Sequence, residues 1–317
     1  MRPNFSMLLI LAALGNLLSL GWADESGDWK AKVTTAPPGE FPLLPPCLLT
    51  FNVNWNGLVK AGQADAVFRY NDDTSNLIVT AKARSTGPAR LLWAYDANQT
   101  TWIDTENLRP IKVSQVEDDR RETNIYNTEF IGDFAFNKWT TEAKNEESES
   151  IERKERIFEQ AAMHDLVSAA LYLRSQPLDE LGQEFALVTF PFRDPYLVLL
   201  KLAAREKRKF SGEKIDTLKF DVQLSKVDEM GDLESQQDKF HSASVWLSDD
   251  DRRLPLELRS EIFIGSVRAS LVDFIPLEKS ESAPNQPEIE AVAVEAPAEG
   301  IREKARGIVA RLRKGGS

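Results

Sequence analysis

Short runs of alternating apolar and polar residues, separated by turn residues, constrain the fold of this chain more than any other feature. They include 48–55 (LLTFNVNW), 62–70 (GQADAVFRY), 77–85 (LIVTAKARS) and 123–132 (TNIYNTEFIG). Because successive side chains of a strand point to opposite faces, a period of two is typical of half-buried strands. Regular short strands of this kind predict an antiparallel sheet.

The second half of the chain continues the pattern. We expect strands at 185–192 (FALVTFPF) and 217–224 (TLKFDVQL). A turn at 211–214 (SGEK) is expected just before the second of them. The run before that turn, 196–210 (YLVLLKLAAREKRKF), begins like a strand. Its part from 200 to 209 consists of good helix formers, so strand and helix both remain open there.

Two other segments are not expected to be strands. Residues 142–160 are mostly charged and lack a broad apolar stripe, which is typical of a solvated helix or a mobile loop. Residues 163–178 (MHDLVSAALYLRSQPL) predict one short helix, because Asp165 can cap its start and Pro177 can end it. Its apolar face consists of Leu166, Ala169, Ala170 and Leu173.

Both ends of the chain differ in composition from the strand-rich region at 48–277. Residues 1–23 combine a basic start, an apolar run and small residues, which predicts a signal peptide and export to the periplasm or cell envelope. Residues 24–47 are rich in Pro and predict an extended lead-in. Residues 278–300 are rich in Pro, Ala and Glu and predict a disordered linker.

The chain ends in a basic amphipathic segment, 301–317 (IREKARGIVARLRKGGS). Basic residues on one helix face and aliphatic residues on the other suit an anionic membrane surface or an acidic protein as partner. Gly307 weakens such a helix, so a solvated disordered tail is an equal alternative.

Charge and cysteine content exclude several classes of function. Lys and Arg number 39 against 50 Asp and Glu, and this net charge of −11 predicts that the chain binds no nucleic acid. A single cysteine, Cys47, cannot form an intramolecular disulfide and is expected to be a structural thiol. Two isolated histidines, His164 and His241, do not make a metal cluster with it, and no glycine-rich phosphate motif occurs, so no cofactor is predicted.

Three aspartates, Asp249–Asp251, lie inside the alternating stretch 245–274. Counted as a calcium loop from Asp249 or Asp250, the stretch has leucine or proline where the loop needs glycine. Asp favours turns, so we expect a hairpin tip, with a binding site as the alternative. One face of the hairpin is expected to hold Val245, Leu247, Leu254, Leu256 and Leu258, and the other Trp246, Glu257 and Arg259.

The predicted helix also carries polar residues at helical spacing. Asp165, Ser168 and Tyr172 line up on one polar ridge while the apolar face turns inward. His164 lies four residues before Ser168 and could act as its base, but no G-x-S-x-G turn surrounds this serine. A helix cap, a solvated serine and a tyrosine at a sheet edge are the simpler interpretation.

Two motifs resemble those of an exported bacterial family whose domain has no assigned function. HDLVSAALYLRSQPL is similar to its D-x-x-S-A-x-Y-x-x-R stretch, and VWLSDDDRRLPLELRSEIFIGSVRASL to its W-L-S-D-D-x-x-R-x-P-L stretch. The resemblance spans roughly 48–275 and implies a curved antiparallel sheet, or half-open barrel, wrapped around a short helix, similar to periplasmic lipoproteins or lipid carriers. It implies no catalytic residue. The candidate ligand-binding positions are Asp165, Ser168, Tyr172, Arg174, Trp246, Asp249, Asp250 and Arg253.

Together these features predict a mainly β domain with disordered N- and C-terminal tails. Its function is interpreted first as a non-enzymatic binding or carrier module of the envelope, with an apolar or lipid-like ligand between sheet and helix. The alternative is an envelope assembly scaffold that docks through 301–317. A hydrolase using Ser168, or the pair Asp249 and Asp250, is the least favoured hypothesis, because the supporting base and oxyanion elements are not established by the sequence.

Overall fold

The alternating segments of the sequence pair into one large sheet. The structure is a computed structural model, and it describes residues 29–71, 74, 76–144, 150–210, 212–235, 240–262 and 265–278. Within these residues the strands are β1 (Cys47–Trp55), β2 (Val59–Asn71), β3 (Asn76–Ser85), β4 (Tyr95–Asp104), β5 (Pro110–Asp119), β6 (Glu122–Ile131), β7 (Phe134–Ala143), β8 (Ile151–Glu159), β9 (Met163–His164), β10 (Glu184–Thr189), β11 (Tyr196–Phe210), β12 (Glu213–Val227), β13 (Leu233–Ser235), β14 (Phe240–Ser248), β15 (Pro255–Ile262) and β16 (Gly265–Pro276).

Three predicted segments lie outside the described residues. These are the signal peptide at 1–23, the basic tail at 301–317 and, apart from its first residue, the linker at 278–300. The helices within the described residues are α1 (Gly87–Leu92) and α2 (Leu166–Ser175), with a short 3-10 turn at Trp29–Lys32.

The order of strands across the sheet runs β8-β7-β6-β5-β4-β3-β2-β1-β16-β15-β14-β12-β11-β10-β9, with β13 paired to β12. Every pairing is antiparallel except that of β9 with β10. The two edge strands, β8 and β9, are consecutive in the chain and are joined only by residues 160–162. A link of this length spans at most about 15 Å, so the sheet must curl until its edges approach each other. The prediction of a curved, mainly antiparallel sheet around a short helix is confirmed.

One sequence expectation is wrong, and one open alternative is decided by the structure. Residues 142–160 were expected to be a solvated helix or loop, but residues 151–159 of this segment form β8, which pairs with β7 along its whole length. The expectation failed because an edge strand exposes most of its side chains and therefore tolerates charge at nearly every position. At 200–209 the strand alternative is correct, since β11 forms a hairpin with β12 that continues to the pair Phe210 and Glu213.

Helix α2 fills part of the space enclosed by the sheet. Its residues Ala169, Tyr172 and Leu173 belong to a core cluster built mainly from β10, β11, β12 and β14, whereas Leu171 belongs to a second cluster built from β1–β4, β15 and β16. The predicted apolar face is only half correct. Ala169 and Leu173 are buried, but Leu166 is partly exposed and Ala170 is exposed.

The described part of the lead-in, residues 29–46, begins with the 3-10 turn and continues as a strap that contacts α2. The Tyr172 hydroxyl donates to the Ala36 carbonyl at 2.9 Å, and the Gly39 amide donates to the Ser175 hydroxyl at 3.0 Å. The strap approaches the helix so closely that a Cβ at Gly39 would overlap the Ser175 carbonyl, which explains the glycine there. The strap therefore holds α2 against the sheet.

Candidate functional site

Asp165 caps helix α2 and at the same time binds the helix to the sheet. Its carboxylate accepts hydrogen bonds from the backbone amides of Val167 at 3.3 Å and Ser168 at 2.9 Å. On the sheet side, Gln99 Nε2 donates to it at 3.0 Å and Thr101 Oγ1 at 2.9 Å, both from β4. Four donors satisfy the oxygens of this buried group, so the predicted capping role is confirmed and is extended to the sheet.

The hydrogen bonds of His164 argue against a catalytic Ser168. Arg109 Nη1 lies 2.8 Å from His164 Nε2, and since a guanidinium can only donate, Nε2 must be the acceptor. The ring proton is then on Nδ1, which faces the Ser168 hydroxyl at 3.3 Å and cannot take its proton. Burial, followed by the nearby Arg109 charge, lowers the His164 pKa to about 3, so the ring is neutral.

The polar ridge of α2 is not solvated. Asp165, Ser168 and Tyr172 are each at most 1% exposed. The expectation of a solvated serine and a tyrosine at a sheet edge is therefore wrong, because β4 covers one end of the ridge and the strap covers the other. The Tyr172 ring lies 5.1 Å from that of His164, which completes a buried polar network at this end of the helix.

The aspartate run forms the tip of the β14–β15 hairpin, as predicted. Asp250 Oδ1 accepts hydrogen bonds from Ser248 Oγ at 2.6 Å and from the amides of Arg252 and Arg253 at 3.0 Å each. Burial alone would raise the Asp250 pKa, but these hydrogen bonds outweigh it and hold the pKa below its usual value. Asp250 thus fixes the turn.

The other two aspartates point elsewhere. Asp249 forms an ion pair with Arg205 of β11, and Asp251 is exposed. Their divergence explains why no metal cluster forms at the tip. Among the residues that the structure describes, no three His, Cys, Asp or Glu side chains are grouped so that they could hold a metal ion.

The hairpin tip docks onto the C-terminus of α2 and joins the two sequence motifs. Arg253 Nη1 donates to the carbonyls of Arg174 at 3.0 Å and Gln176 at 2.6 Å, so it caps the helix end. In return, Arg174 donates to the Arg252 carbonyl at 2.9 and 2.7 Å. Both guanidinium groups stack on Phe41 of the strap, at 4.9 Å for Arg174 and 3.8 Å for Arg253.

Burial and the neighbouring Arg253 lower the Arg174 pKa to about 10, which still leaves this guanidinium charged at neutral pH.

Trp246, the last of the predicted positions, lies on the outer face of β14, as expected, but it is buried. Arg208 covers its ring at 4.1 Å, and its Nε1 donates to Glu206 at 2.6 Å. All eight predicted positions thus have structural partners.

The inner wall of the sheet contains a row of small side chains that the sequence analysis did not single out. Ala64 of β2 pairs with Ala83 of β3, which pairs with Ala97 of β4, and Ala66 pairs with Ala81 in the next row. These alanines share the face of Leu77 and Val79, which belong to the core beneath α2. We name Ala64, Ala66, Ala81, Ala83 and Ala97 the alanine floor.

The alanine floor is not fully covered. Ala64, Ala66, Ala81 and Ala83 are only partly buried, although their strands lie in the interior of the sheet. On the helix, Ala170 is exposed as well. These small side chains therefore keep contact with solvent, and we refer to the inner surface over them as the recess.

Polar side chains continue the same inner rows where the alanines end. Ala97 pairs with Glu117 of β5, and Glu117 with Asn124 of β6. In the adjacent row, Gln99 follows Ala81 and is paired with Gln115. We name this side of the recess the polar rim, comprising Tyr95, Gln99, Gln115, Glu117, Asn124, Tyr126 and Arg193.

Glu117 is the buried acid of the polar rim. It is 3% exposed and accepts a hydrogen bond from the Tyr95 hydroxyl at 2.5 Å. Burial raises the Glu117 pKa to about 7, although hydrogen bonds from Tyr95 and Tyr126 and the charge of Arg193 oppose this shift. The carboxyl therefore changes charge near neutral pH.

Several buried atoms near the polar rim have no partner. Arg193 donates to Asn124 Oδ1 at 2.6 Å and to Thr141 Oγ1 at 3.1 Å, but its Nε makes no hydrogen bond. Gln115 Oε1 and Asn137 Oδ1 also lack a donor within the described residues. Because buried polar groups are normally satisfied, a partner other than the described residues, such as water, is expected at these atoms. In the sequence, the polar rim is indicated by β5, which carries polar residues on both of its faces.

A family model described as "Protein of unknown function (DUF3108)" matches residues 50–272. The chain belongs to the DUF3108 family. None of the curated protein sequences matches this DUF3108 protein.

Solved structures with a similar fold share little sequence with the DUF3108 chain. A β-barrel-like protein of the domain DUF1849 from Brucella abortus is 9% identical, with a TM-score of 0.45, over 74% of this chain and 99% of that one. A proposed lipoprotein from Parabacteroides distasonis is 7% identical, with a TM-score of 0.30, over 75% and 99%. A proposed exported protein with a YmcC-like fold from Bacteroides fragilis is 5% identical, with a TM-score of 0.31, over 75% and 99%.

The part of the DUF3108 chain that the structure describes contains no helix long and apolar enough to cross a membrane.

Proposed function

We propose that this DUF3108 protein is a non-enzymatic binding or carrier module of the cell envelope that holds a lipid-like ligand in the recess beside α2. The observation that carries the proposal is the partly exposed alanine floor on the concave face of the sheet. Covering apolar surface that is otherwise wet is favourable, and a ligand with an apolar chain would supply that cover. The predicted signal peptide supports placement in the envelope.

The composition of the recess supports an amphipathic ligand over a purely apolar one. Ligand pockets are mostly apolar with a few polar groups that fix orientation. Here the apolar part of the ligand would lie on the alanine floor, and its polar end would meet the polar rim. Gln115 Oε1 and Arg193 Nε offer an acceptor and a donor that no described residue uses.

A matched pair of substitutions tests the proposal. Ala83→Leu adds bulk to the recess, whereas Arg84→Leu places the same side chain on the outer face of the same strand. Each protein would be purified from bacterial envelopes and examined by native mass spectrometry and by titration with a fluorescent fatty acid. We expect bound lipid in the wild type and in Arg84→Leu, and at least about tenfold weaker binding in Ala83→Leu with little loss of stability.

A closed, packed interior would give a different result. Leucine at position 83 would then destabilise the protein by about 1–3 kcal/mol through overpacking, and the wild type would carry no lipid.

Deletion of 301–317 distinguishes the carrier function from the alternative function, an envelope assembly scaffold. Loss of envelope localisation with lipid binding intact would favour a scaffold that docks through its basic tail.

A further inference from the structure

Strand β8 is an edge of the sheet and keeps one side of its backbone free. It pairs with β7 alone, and no other described segment makes a backbone hydrogen bond to Ile151–Glu159. Ile151 and Ile157 are 54% and 47% exposed. An exposed edge of this length is a template for pairing with another strand.

The sequence of this edge is complementary to itself. Residues 151–157 read Ile-Glu-Arg-Lys-Glu-Arg-Ile. If two copies pair antiparallel with Lys154 opposite Lys154, residue 151 meets 157, residue 152 meets 156 and residue 153 meets 155. Each Ile then faces Ile, and each Glu faces Arg.

The outer face of β8 supports this register. On the outer face, Ile151, Arg153, Glu155 and Ile157 would meet the same four residues in reverse order, which gives two ion pairs flanked by two apolar pairs. On the inner face, Glu152 would lie opposite Arg156, but Arg156 already forms an ion pair with Asp194 at 2.7 Å and donates to the Asp228 carbonyl, so this face does not add to the argument. The central lysines are the one like-charge pair, and Lys154 already binds Glu152 of its own strand at 2.7 Å, which reduces their repulsion.

We propose that β8 pairs with β8 of a second copy of this chain, about a two-fold axis at Lys154, so that the two sheets become continuous. Edge protection alone calls for charge of either sign, usually lysine. It does not require opposite charges at positions that lie equally far on either side of one central residue. A symmetric interface does require this. Whenever residue i of one copy contacts residue j of the other, residue j of the first copy contacts residue i of the second.

Charge reversal tests the register. Glu155→Arg places Arg opposite Arg153 at two symmetric positions, and the double variant Arg153→Glu/Glu155→Arg restores both ion pairs with their signs exchanged. Glu213→Arg is the control, because Glu213 is exposed at the β11–β12 turn, away from β8 in the sheet order. The dimer dissociation constant would be measured by analytical ultracentrifugation, with circular dichroism to verify folding.

We expect a dimer for the wild type and the control, about tenfold or more weaker association for Glu155→Arg, and recovery in the double variant. A wild type that stays monomeric at all concentrations tested would overturn the proposal. So would a double variant that associates as weakly as Glu155→Arg.

Discussion

Replacing Glu117 by Gln is expected to change how the stability of the fold depends on pH. Burial raises the Glu117 pKa from 4.5 to about 7, and the side chain is 3% exposed, so solvent screening is slight. At about 1.4 kcal/mol per pKa unit, the shift corresponds to about 3 kcal/mol between the two protonation states.

The sign follows from proton binding. Between pH 4.5 and about 7 the folded protein holds the Glu117 proton while the unfolded chain has lost it. The free energy of unfolding therefore falls as pH rises through this window, and the full penalty of about 3 kcal/mol is present above it. Gln mimics the protonated carboxyl without titrating, so the variant lacks this penalty.

Urea unfolding of wild type and Glu117→Gln at pH 5 and pH 8, followed by tryptophan fluorescence, measures the difference. We expect similar stabilities at pH 5 and a variant that is more stable by most of about 3 kcal/mol at pH 8. Glu213→Gln, at an exposed position, should show no such change. An equal difference between wild type and Glu117→Gln at the two pH values would refute the burial argument.

Two further predictions concern the helix cap and the thiol. Asp165→Ala removes the acceptor for Thr101, Gln99 and two helix amides, and is expected to lower the free energy of unfolding by about 2–4 kcal/mol, with Asp165→Asn losing less. Equal losses in urea titrations of the two variants would contradict this account. Burial raises the Cys47 pKa to about 12, so its thiol should resist a disulfide reagent at pH 8 until urea unfolds the protein. Rapid labelling of the native protein would contradict the assigned burial.

The sequence predicts the strands well because the curved sheet has one buried and one solvated face over much of its length. The hairpin at 245–274 is an example, with Leu247, Leu254 and Leu256 buried on the predicted side. Prediction fails at β8, where an edge strand carries charge on both faces and the period of two disappears.

The partners of the motif residues could not be predicted in the same way. Arg253 caps a helix that ends nearly eighty positions earlier in the chain, and Phe41 stacks on it from a third segment. Spacing within one element identifies a cap such as Asp165, but it contains no information about contacts between distant elements. The alanine floor was missed for a related reason, since periodicity assigns residues to a face without indicating whether that face is covered.

Most residues of the two sequence motifs lie apart from the alanine floor and the polar rim; the contact between the two sets is Gln99 of the polar rim, which donates to Asp165. Asp165 binds one end of α2 to β4, and Arg174 and Arg253 bind its other end to the hairpin tip and the strap. These contacts set the position of the helix over the sheet. Substitutions there should act on stability first and on ligand binding only through the placement of α2. Direct effects on binding should come from the alanine floor and the polar rim, whose residues lie on β2–β6 and in the loop of Arg193.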